Sequence, residues 1–155
     1  MNGWLVAATA LLAAGFGPVV WGVSTGPLER RVVAQNFGTS VVCLVMLLLA
    51  QAYARPSYVD LALVLAVLGP AGTLVYARLL AEDLDDRPPH ANLLTAVAAV
   101  ATGAVVVAAC VATGPGRAMV KLLLIGVLLV AGNVIASRAL AGGFPAFPSG
   151  GGAAK

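Results

Sequence analysis

Five long apolar blocks dominate this 155-residue sequence and limit the folds open to it. They lie roughly at residues 3–24, 32–54, 58–80, 91–113 and 118–140. Each block is long enough to cross about 30 Å of hydrocarbon as a helix. Only 10% of the residues are charged, which is too few to cover the surface of a soluble domain. The pattern predicts an all-α integral membrane protein with about five transmembrane helices.

Aromatic residues support these block boundaries. The spacing from Trp4 to Trp21 corresponds to about 26 Å along a helix, and that from Tyr58 to Tyr76 to about 27 Å. Each pair can therefore place its rings at the two opposite membrane interfaces, where amphipathic rings concentrate.

The basic residues predict the orientation of the helices. Five spans put the termini on opposite sides. The N-terminal side then holds Arg55, Arg117 and Lys121, and the C-terminal side holds Arg30, Arg31, Arg78, Arg87, Arg138 and Lys155. Because basic residues concentrate on the cytoplasmic side, we predict an N-out, C-in topology. These charges are better explained as topology signals than as a nucleic-acid surface.

The C-terminal segment "GGFPAFPSGGGAAK" is rich in Gly and Pro and is predicted to be a disordered cytoplasmic tail, residues 143–155. No two carboxylates share a span, and no His, Cys and Asp cluster has metal-ligand spacing. No phosphate-binding glycine loop is present either. We therefore expect no enzymatic activity, no cofactor and no metal site.

Three charged residues at the ends of the blocks are candidates for an ion pathway or a subunit interface. Asp60 lies about one turn inside the third block, where it either stabilises the helix N-terminus or forms a proton or cation site. Arg31 begins the second block as an anchor at the cytoplasmic interface. Lys121 begins the fifth block, where it is either the same kind of anchor at the outer face or a side chain that points inward. If it points inward, we expect a partner protein to supply the acid, since no acid in this chain is an evident partner.

A fourth candidate, Asn36, follows Gln35 just inside the second block, within "ERRVVAQNFGTSVV". A neutral amide hydrogen-bonds water or a neighbouring helix, but it does not exchange a proton near pH 7.

Two stretches of the first half resemble a known family. The segment "PSYVDLALVLAVLGPAGTLVYARLL", residues 56–80, is similar to the last span of the F subunit of Mrp-type (Mnh/Sha) multisubunit cation/proton antiporters. The matching positions are Tyr58, Asp60, Gly72, Thr73 and Arg78. The segment "GPLERRVVAQN" resembles the cytoplasmic loop and second helix of the same subunit. The resemblance implies an F-like three-helix unit over residues 1–86.

The second half is similar to the G subunit of the same complex. The segment "VKLLLIGVLLVAGNVIASRALA", residues 120–141, resembles its last span, and "HANLLTAVAAVATGAVVVAA" corresponds to its middle span. We therefore interpret residues 87–142 as a shortened, two-helix G-like unit fused to the F-like unit.

The chain departs from the F subunit at its acids. The family carries an Asp-Arg pair at the start of the second helix and another acid about six residues later. Here Arg30 and Arg31 occupy the pair and Asn36 the later position, unless Glu29 substitutes for the first acid. The resemblance thus implies an accessory subunit, beside large complex I-like subunits that supply the buried lysines and acids.

The resemblance implies that the complex is an Na⁺/proton antiporter in a bacterial cytoplasmic membrane. The partners of this chain would then be other antiporter subunits, lipid, protons and Na⁺. Two alternatives remain open. One is a small membrane subunit of a hydrogenase or oxidoreductase related to complex I. The other is a homo-oligomeric structural membrane protein.

Overall fold

A computed structural model describes residues 2–25, 28–79 and 91–140, and this part of the chain is entirely helical and loop. The helices are α1 (Gly3–Ser24), α2 (Leu28–Tyr53), α3 (Ser57–Leu79), α4 (Ala91–Thr113) and α5 (Arg117–Leu140). All five are long and apolar enough to cross a membrane. The predicted fold class, an all-α protein with five transmembrane helices, is confirmed.

One boundary differs from the prediction by more than a residue. The second block was expected from residue 32, whereas α2 begins at Leu28. Glu and Arg are good helix formers, so the charged stretch continues the helix beyond the apolar block. Arg30 and Arg31 therefore lie in the first turn of α2, outside its apolar part.

Consecutive helices alternate in direction, which gives the bundle two distinct ends. The start of α2 meets the ends of α3 and α5 through Val32, Ala77 and Ala139. We call this the Arg31 end. The starts of α1, α3 and α5 lie at the opposite end, which we call the Arg117 end. There the Asn2 side-chain amide donates a hydrogen bond to the Ala52 carbonyl near the end of α2, 3.3 Å away.

Helix α2 lies at the centre of the bundle, because it packs against each of the other four helices. Helix α5 also packs against α3 and α4. The largest buried cluster draws on α2, α3, α4 and α5 together: Cys43, Leu44, Leu47, Ala50, Val59, Ala62, Ala66, Val106, Ala109, Leu122, Ile125 and Leu129. The two halves of the sequence therefore share one core, and Cys43 is a buried apolar member of it.

Glycines allow two of the close helix approaches. A Cβ atom on Gly22 of α1 would lie 2.7 Å from the Ala34 Cβ of α2. A Cβ on Gly132 of α5 would collide with the ring of Pro70 in α3. The proline that interrupts α3 thus fits against an α5 position that has no side chain.

Two predictions fall outside the described residues. They are the disordered tail, residues 143–155, and the loop that joins α3 to α4 and carries the boundary at residues 86 and 87. The N-out, C-in orientation also stays a prediction.

Candidate functional site between the transmembrane helices

The four candidate residues separate into two places. Asp60 and Lys121 meet at the Arg117 end, whereas Arg31 and Asn36 lie on α2 toward the Arg31 end. Their roles stay predictions, but their surroundings are clear.

Asp60 and Lys121 form a salt bridge between α3 and α5. The Lys121 Nζ donates to the Asp60 Oδ1 at 2.7 Å, and the two side chains are 49% (Lys121) and 58% (Asp60) exposed. No acid in this chain was an evident partner of Lys121 from the sequence, and the structure supplies one in Asp60. Helices α3 and α5 are adjacent and run in the same direction, so two residues that each lie about one turn after a helix start reach the same depth.

A second polar contact joins α2 to α4 at the same end. The Gln51 Nε2 donates a hydrogen bond to the Thr113 Oγ1 at 2.7 Å. The Thr113 hydroxyl in turn donates to the Ala109 carbonyl one turn back along α4. This contact was not predicted from the sequence.

Arg31 is exposed in the first turn of α2. Its position at the polar boundary of the helix is compatible with an interfacial anchor, whose long side chain reaches toward the headgroups.

Asn36 lies deeper, about 12 Å along α2 from its first residue. It is buried, and its Nδ2 donates to the Asn133 Oδ1 of α5 at 2.7 Å. A neutral amide can hydrogen-bond either water or a neighbouring helix, and the Asn36 Nδ2 bonds a neighbouring helix. Asn133 is also buried, so the bond connects two polar side chains inside the bundle.

Ser40 completes this buried network. Its Oγ donates to the Asn36 backbone carbonyl at 3.1 Å and lies 3.4 Å from the Asn133 Oδ1. The Asn133 Nδ2 donates to the Ser40 Oγ at 3.3 Å. Neither Asn133 nor Ser40 was a sequence candidate. The available signal was that Asn133 is the sole carboxamide in the fifth apolar block, because polar side chains in spans tend to bond across helices.

One atom of the network has no partner in the described part of the chain. The Asn36 Oδ1 is buried and accepts no hydrogen bond there. The residue Asn36 also contributes to the lining of a cavity of about 180 Å³ between α2 and α3. The lining residues are Val32, Gln35, Asn36, Thr39, Leu65, Leu68, Gly69, Gly72, Thr73 and Tyr76.

The side chains at these two places offer charge pairing and hydrogen bonding. Within residues 2–25, 28–79 and 91–140, no three His, Cys, Asp or Glu residues group together in a way that could hold a metal ion.

The comparisons with known proteins address the central part of the chain. Residues 30–81 match the family model described as "Multiple resistance and pH regulation protein F (MrpF / PhaF)". Neither the search of curated proteins nor that of solved structures gives a match. The matched range runs from the first turn of α2 through the whole of α3, and it contains Arg31, Asn36 and Asp60. Helices α4 and α5 lie outside it, so the G-like interpretation of residues 87–142 stays a prediction. Over residues 30–81 the chain is therefore similar to the MrpF/PhaF family, whose members are subunits of multisubunit cation/proton antiporters.

Proposed function

We propose that this chain is an accessory membrane subunit of a multisubunit antiporter that uses proton influx to drive Na⁺ out of a bacterial cell. The observation that carries the proposal is the family match over residues 30–81. The chain would lie in the cytoplasmic membrane and pack beside the large subunits that transport the ions.

The polar groups inside the bundle support an accessory role. Asn36, Ser40 and Asn133 are neutral, and neither an amide nor a hydroxyl ionises near pH 7. Residues that carry protons across membranes are ionisable and lie within the spans. In this sequence every charged residue lies close to an end of an apolar block or outside the blocks. Proton transfer is therefore assigned to other subunits of the complex.

The second half of the chain completes the subunit in this proposal. Helices α4 and α5 act as a shortened G-like unit that is packed against the F-like unit in one bundle. The shared buried core and the Asn36–Asn133 hydrogen bond support this arrangement, since both join residues of the two halves. A fused chain keeps the two units in equal numbers.

The Asp60–Lys121 pair is the proposed contact site on the outer face, in the N-out, C-in topology. About half of each side chain is exposed, so the pair remains open to water, to a cation or to a neighbouring subunit. Asp60 would attract a cation, and Lys121 would hold the carboxylate in place until one arrives.

The experiment is to purify the complex through a tag on the C-terminal tail in mild detergent, then measure Na⁺/proton antiport in membrane vesicles. We expect large antiporter subunits to co-purify in fixed ratio, and antiport to be lost when this chain is deleted. Recovery of metal-cluster subunits would instead favour a hydrogenase-like complex. Recovery of this chain alone, still folded, would favour a homo-oligomer.

A charge swap tests the role of the pair within that complex. Asp60→Asn and Lys121→Gln each remove the salt bridge, whereas Asp60→Lys combined with Lys121→Asp restores it with reversed geometry. If the pair only joins α3 to α5, the swap should recover the antiport that either single variant loses. If Asp60 contacts the cation, the swap should stay as inactive as Asp60→Asn.

A further inference from the structure

We infer that Asp60, Arg117 and Lys121 form a binding site for the headgroup of a zwitterionic aminophospholipid, with its phosphate on the two cations and its ammonium on the carboxylate. The three side chains lie at the Arg117 end, within the first five residues of α3 or α5, and all three are exposed. The inference goes beyond the proposed function and does not depend on it, since it requires only that the chain spans a membrane.

Cations outnumber acids at the Arg117 end. Its described residues include Arg55, Arg117 and Lys121, but Asp60 is the single acid among them. Lys121 bonds the Asp60 Oδ1, whereas Arg55 and Arg117 form no salt bridge in the described part of the chain. An exposed excess of positive charge attracts anions. In a membrane the nearest anions are the phosphates of the lipid headgroups.

The start of α5 concentrates this positive charge. Arg117 and Lys121 are four residues apart, so they lie on the same face of the helix, about one turn from each other. The first turn of α5 contains no acid. Because the N-terminal end of a helix carries a partial positive charge, two cations there are unfavourable unless an anion compensates them. Asp60 compensates Lys121, and a phosphate placed against both cations would compensate Arg117.

The depth of the ion pair indicates a lipid and not a free phosphate. Helix α3 has 23 residues and α5 has 24, so each is about 35 Å long. When centred, each exceeds a hydrocarbon core of about 30 Å by about 2–3 Å at either end. Asp60 is the fourth residue of α3 and Lys121 the fifth of α5, which places both about 2–3 Å inside the hydrocarbon boundary. An exposed pair at this depth faces the headgroup region.

Apolar side chains follow the charges on the same two helix faces. Val64 lies one turn after Asp60 and is 53% exposed, and Leu124 lies one turn after Lys121 and is 48% exposed. Helices α3 and α5 pack against each other, so these side chains lie below the ion pair on neighbouring helices. Charged groups at the boundary and apolar groups one turn deeper match a phospholipid, whose headgroup is continuous with its acyl chains.

Asp60 determines which headgroup fits. Its Oδ1 accepts from Lys121, and its Oδ2 accepts no hydrogen bond in the described part of the chain. The ammonium of phosphatidylethanolamine carries N–H donors and forms charge-assisted hydrogen bonds with a carboxylate. The nitrogen of phosphatidylcholine is fully methylated and has no donor, and phosphatidylglycerol has no cation. The site therefore prefers phosphatidylethanolamine.

The first test is native mass spectrometry of the purified full-length chain in detergent, with the three lipids added in equal amounts and with identical acyl chains. We expect phosphatidylethanolamine to bind about threefold more tightly than phosphatidylcholine, as for one ion pair at an exposed site. Asp60→Asn should abolish this preference and Asp60→Glu should keep it. Equal binding of these two lipids to the unmodified chain would overturn the inference. Tighter binding of phosphatidylglycerol that Asp60→Asn leaves unchanged would also overturn it, because the site would then recognise phosphate alone.

Charge-removing variants of α5 test the position of the phosphate. We expect Arg117→Gln and Lys121→Gln each to weaken the binding of phosphatidylethanolamine about threefold. Arg138→Gln is the matched control, because it removes the same charge from an exposed residue in the last turn of the same helix. Each variant is first checked for an unchanged melting temperature. An equal loss with Arg138→Gln would place the lipid elsewhere and overturn the inference.

Photo-crosslinking tests the site in native membranes, with benzoylphenylalanine in place of Val64. We expect an adduct with phosphatidylethanolamine, identified by the mass of the modified peptide. An adduct with another subunit, an adduct within this chain or no adduct would overturn the inference. Lipid binding is measured on the chain by itself, so its result is independent of whether antiporter subunits co-purify.

Discussion

Polar contacts connect α5 to the rest of the described bundle at two places, which differ in charge and depth. At the Arg117 end, Lys121 and Asp60 form an ion pair about one turn from the helix starts, with both side chains about half exposed. Toward the Arg31 end, Asn133 and Asn36 form a neutral pair that is buried. Both contacts measure 2.7 Å, so their geometry does not distinguish them.

The difference follows from the cost of taking charge out of water. An ion pair has to be well compensated before burial becomes favourable, and a charge within a membrane span is costly. An amide pair carries no net charge, so two or three hydrogen bonds compensate most of the cost of burying its polar atoms. The bundle thus uses charge near its end and neutral amides inside. The comparison predicts that overpacking, side-chain truncation and salt change the stability of the bundle by different amounts at these two places.

The largest effect is expected where α5 is held against α3, next to the buried network. Gly132→Leu forces a side chain into the Pro70 ring, and we expect the free energy of unfolding to fall by about 3 kcal/mol, at the upper end of typical overpacking costs. The measurement is denaturant-induced unfolding in detergent micelles. Gly103→Leu, where the Cβ position is open, should change it by no more than about 0.5 kcal/mol. Equal stability of the two variants would contradict the close α3–α5 contact.

Truncating the centre of the neutral network comes next. Asn133→Leu removes the acceptor of the Asn36 Nδ2 and a donor to Ser40. We expect a loss of about 2 kcal/mol, since it leaves a buried amide donor unpaired. The same unfolding assay measures it. A variant as stable as the unmodified chain would show that the network contributes nothing to the fold.

A double-mutant cycle isolates the bond between the two amides. We expect Asn36→Leu and Asn133→Leu to be less than additive when combined, with a coupling energy of about 1 kcal/mol, within the range for hydrogen bonds between transmembrane helices. The coupling should be the same at low and high salt, because the pair is buried and neutral. Strict additivity would mean that the two residues stabilise the bundle independently.

The smallest effect is expected for the exposed ion pair. In a cycle of Asp60→Asn and Lys121→Met, the coupling should be about 0.5 kcal/mol at low salt, as for other exposed pairs. Raising the ionic strength from about 0.1 to 1 M shortens the screening length from about 10 to 3 Å and should remove most of it. A coupling that persists in high salt would mean that the pair is shielded from solvent by detergent or by another subunit.

Much of the architecture could be read from local sequence. Four of the five helix starts agree with the apolar blocks to within a residue, and α2 differs only because "LERR" is itself a good helix former. The four candidate residues are polar groups in or beside spans, and their roles stay predictions. Their hydrogen-bond partners could not be predicted, since the bond from Asn36 to Asn133 joins residues 97 positions apart and that from Lys121 to Asp60 joins residues 61 apart.

The sequence by itself determined the number, length and alternation of the helices, because the thickness of a bilayer sets how many apolar residues a span needs. It also determined that charge stays near the helix ends. Only the tertiary structure decided which helices are neighbours, and hence that Lys121 meets Asp60, that Asn36 meets Asn133, and that the Asn36 Oδ1 is buried with no donor among the described residues. The physical reason is that transmembrane helices associate through shape and hydrogen bonding between small and polar residues. In a chain this rich in Ala, Gly and Val, those preferences are compatible with many helix pairings. Only the packing of the whole bundle determines which pairing forms.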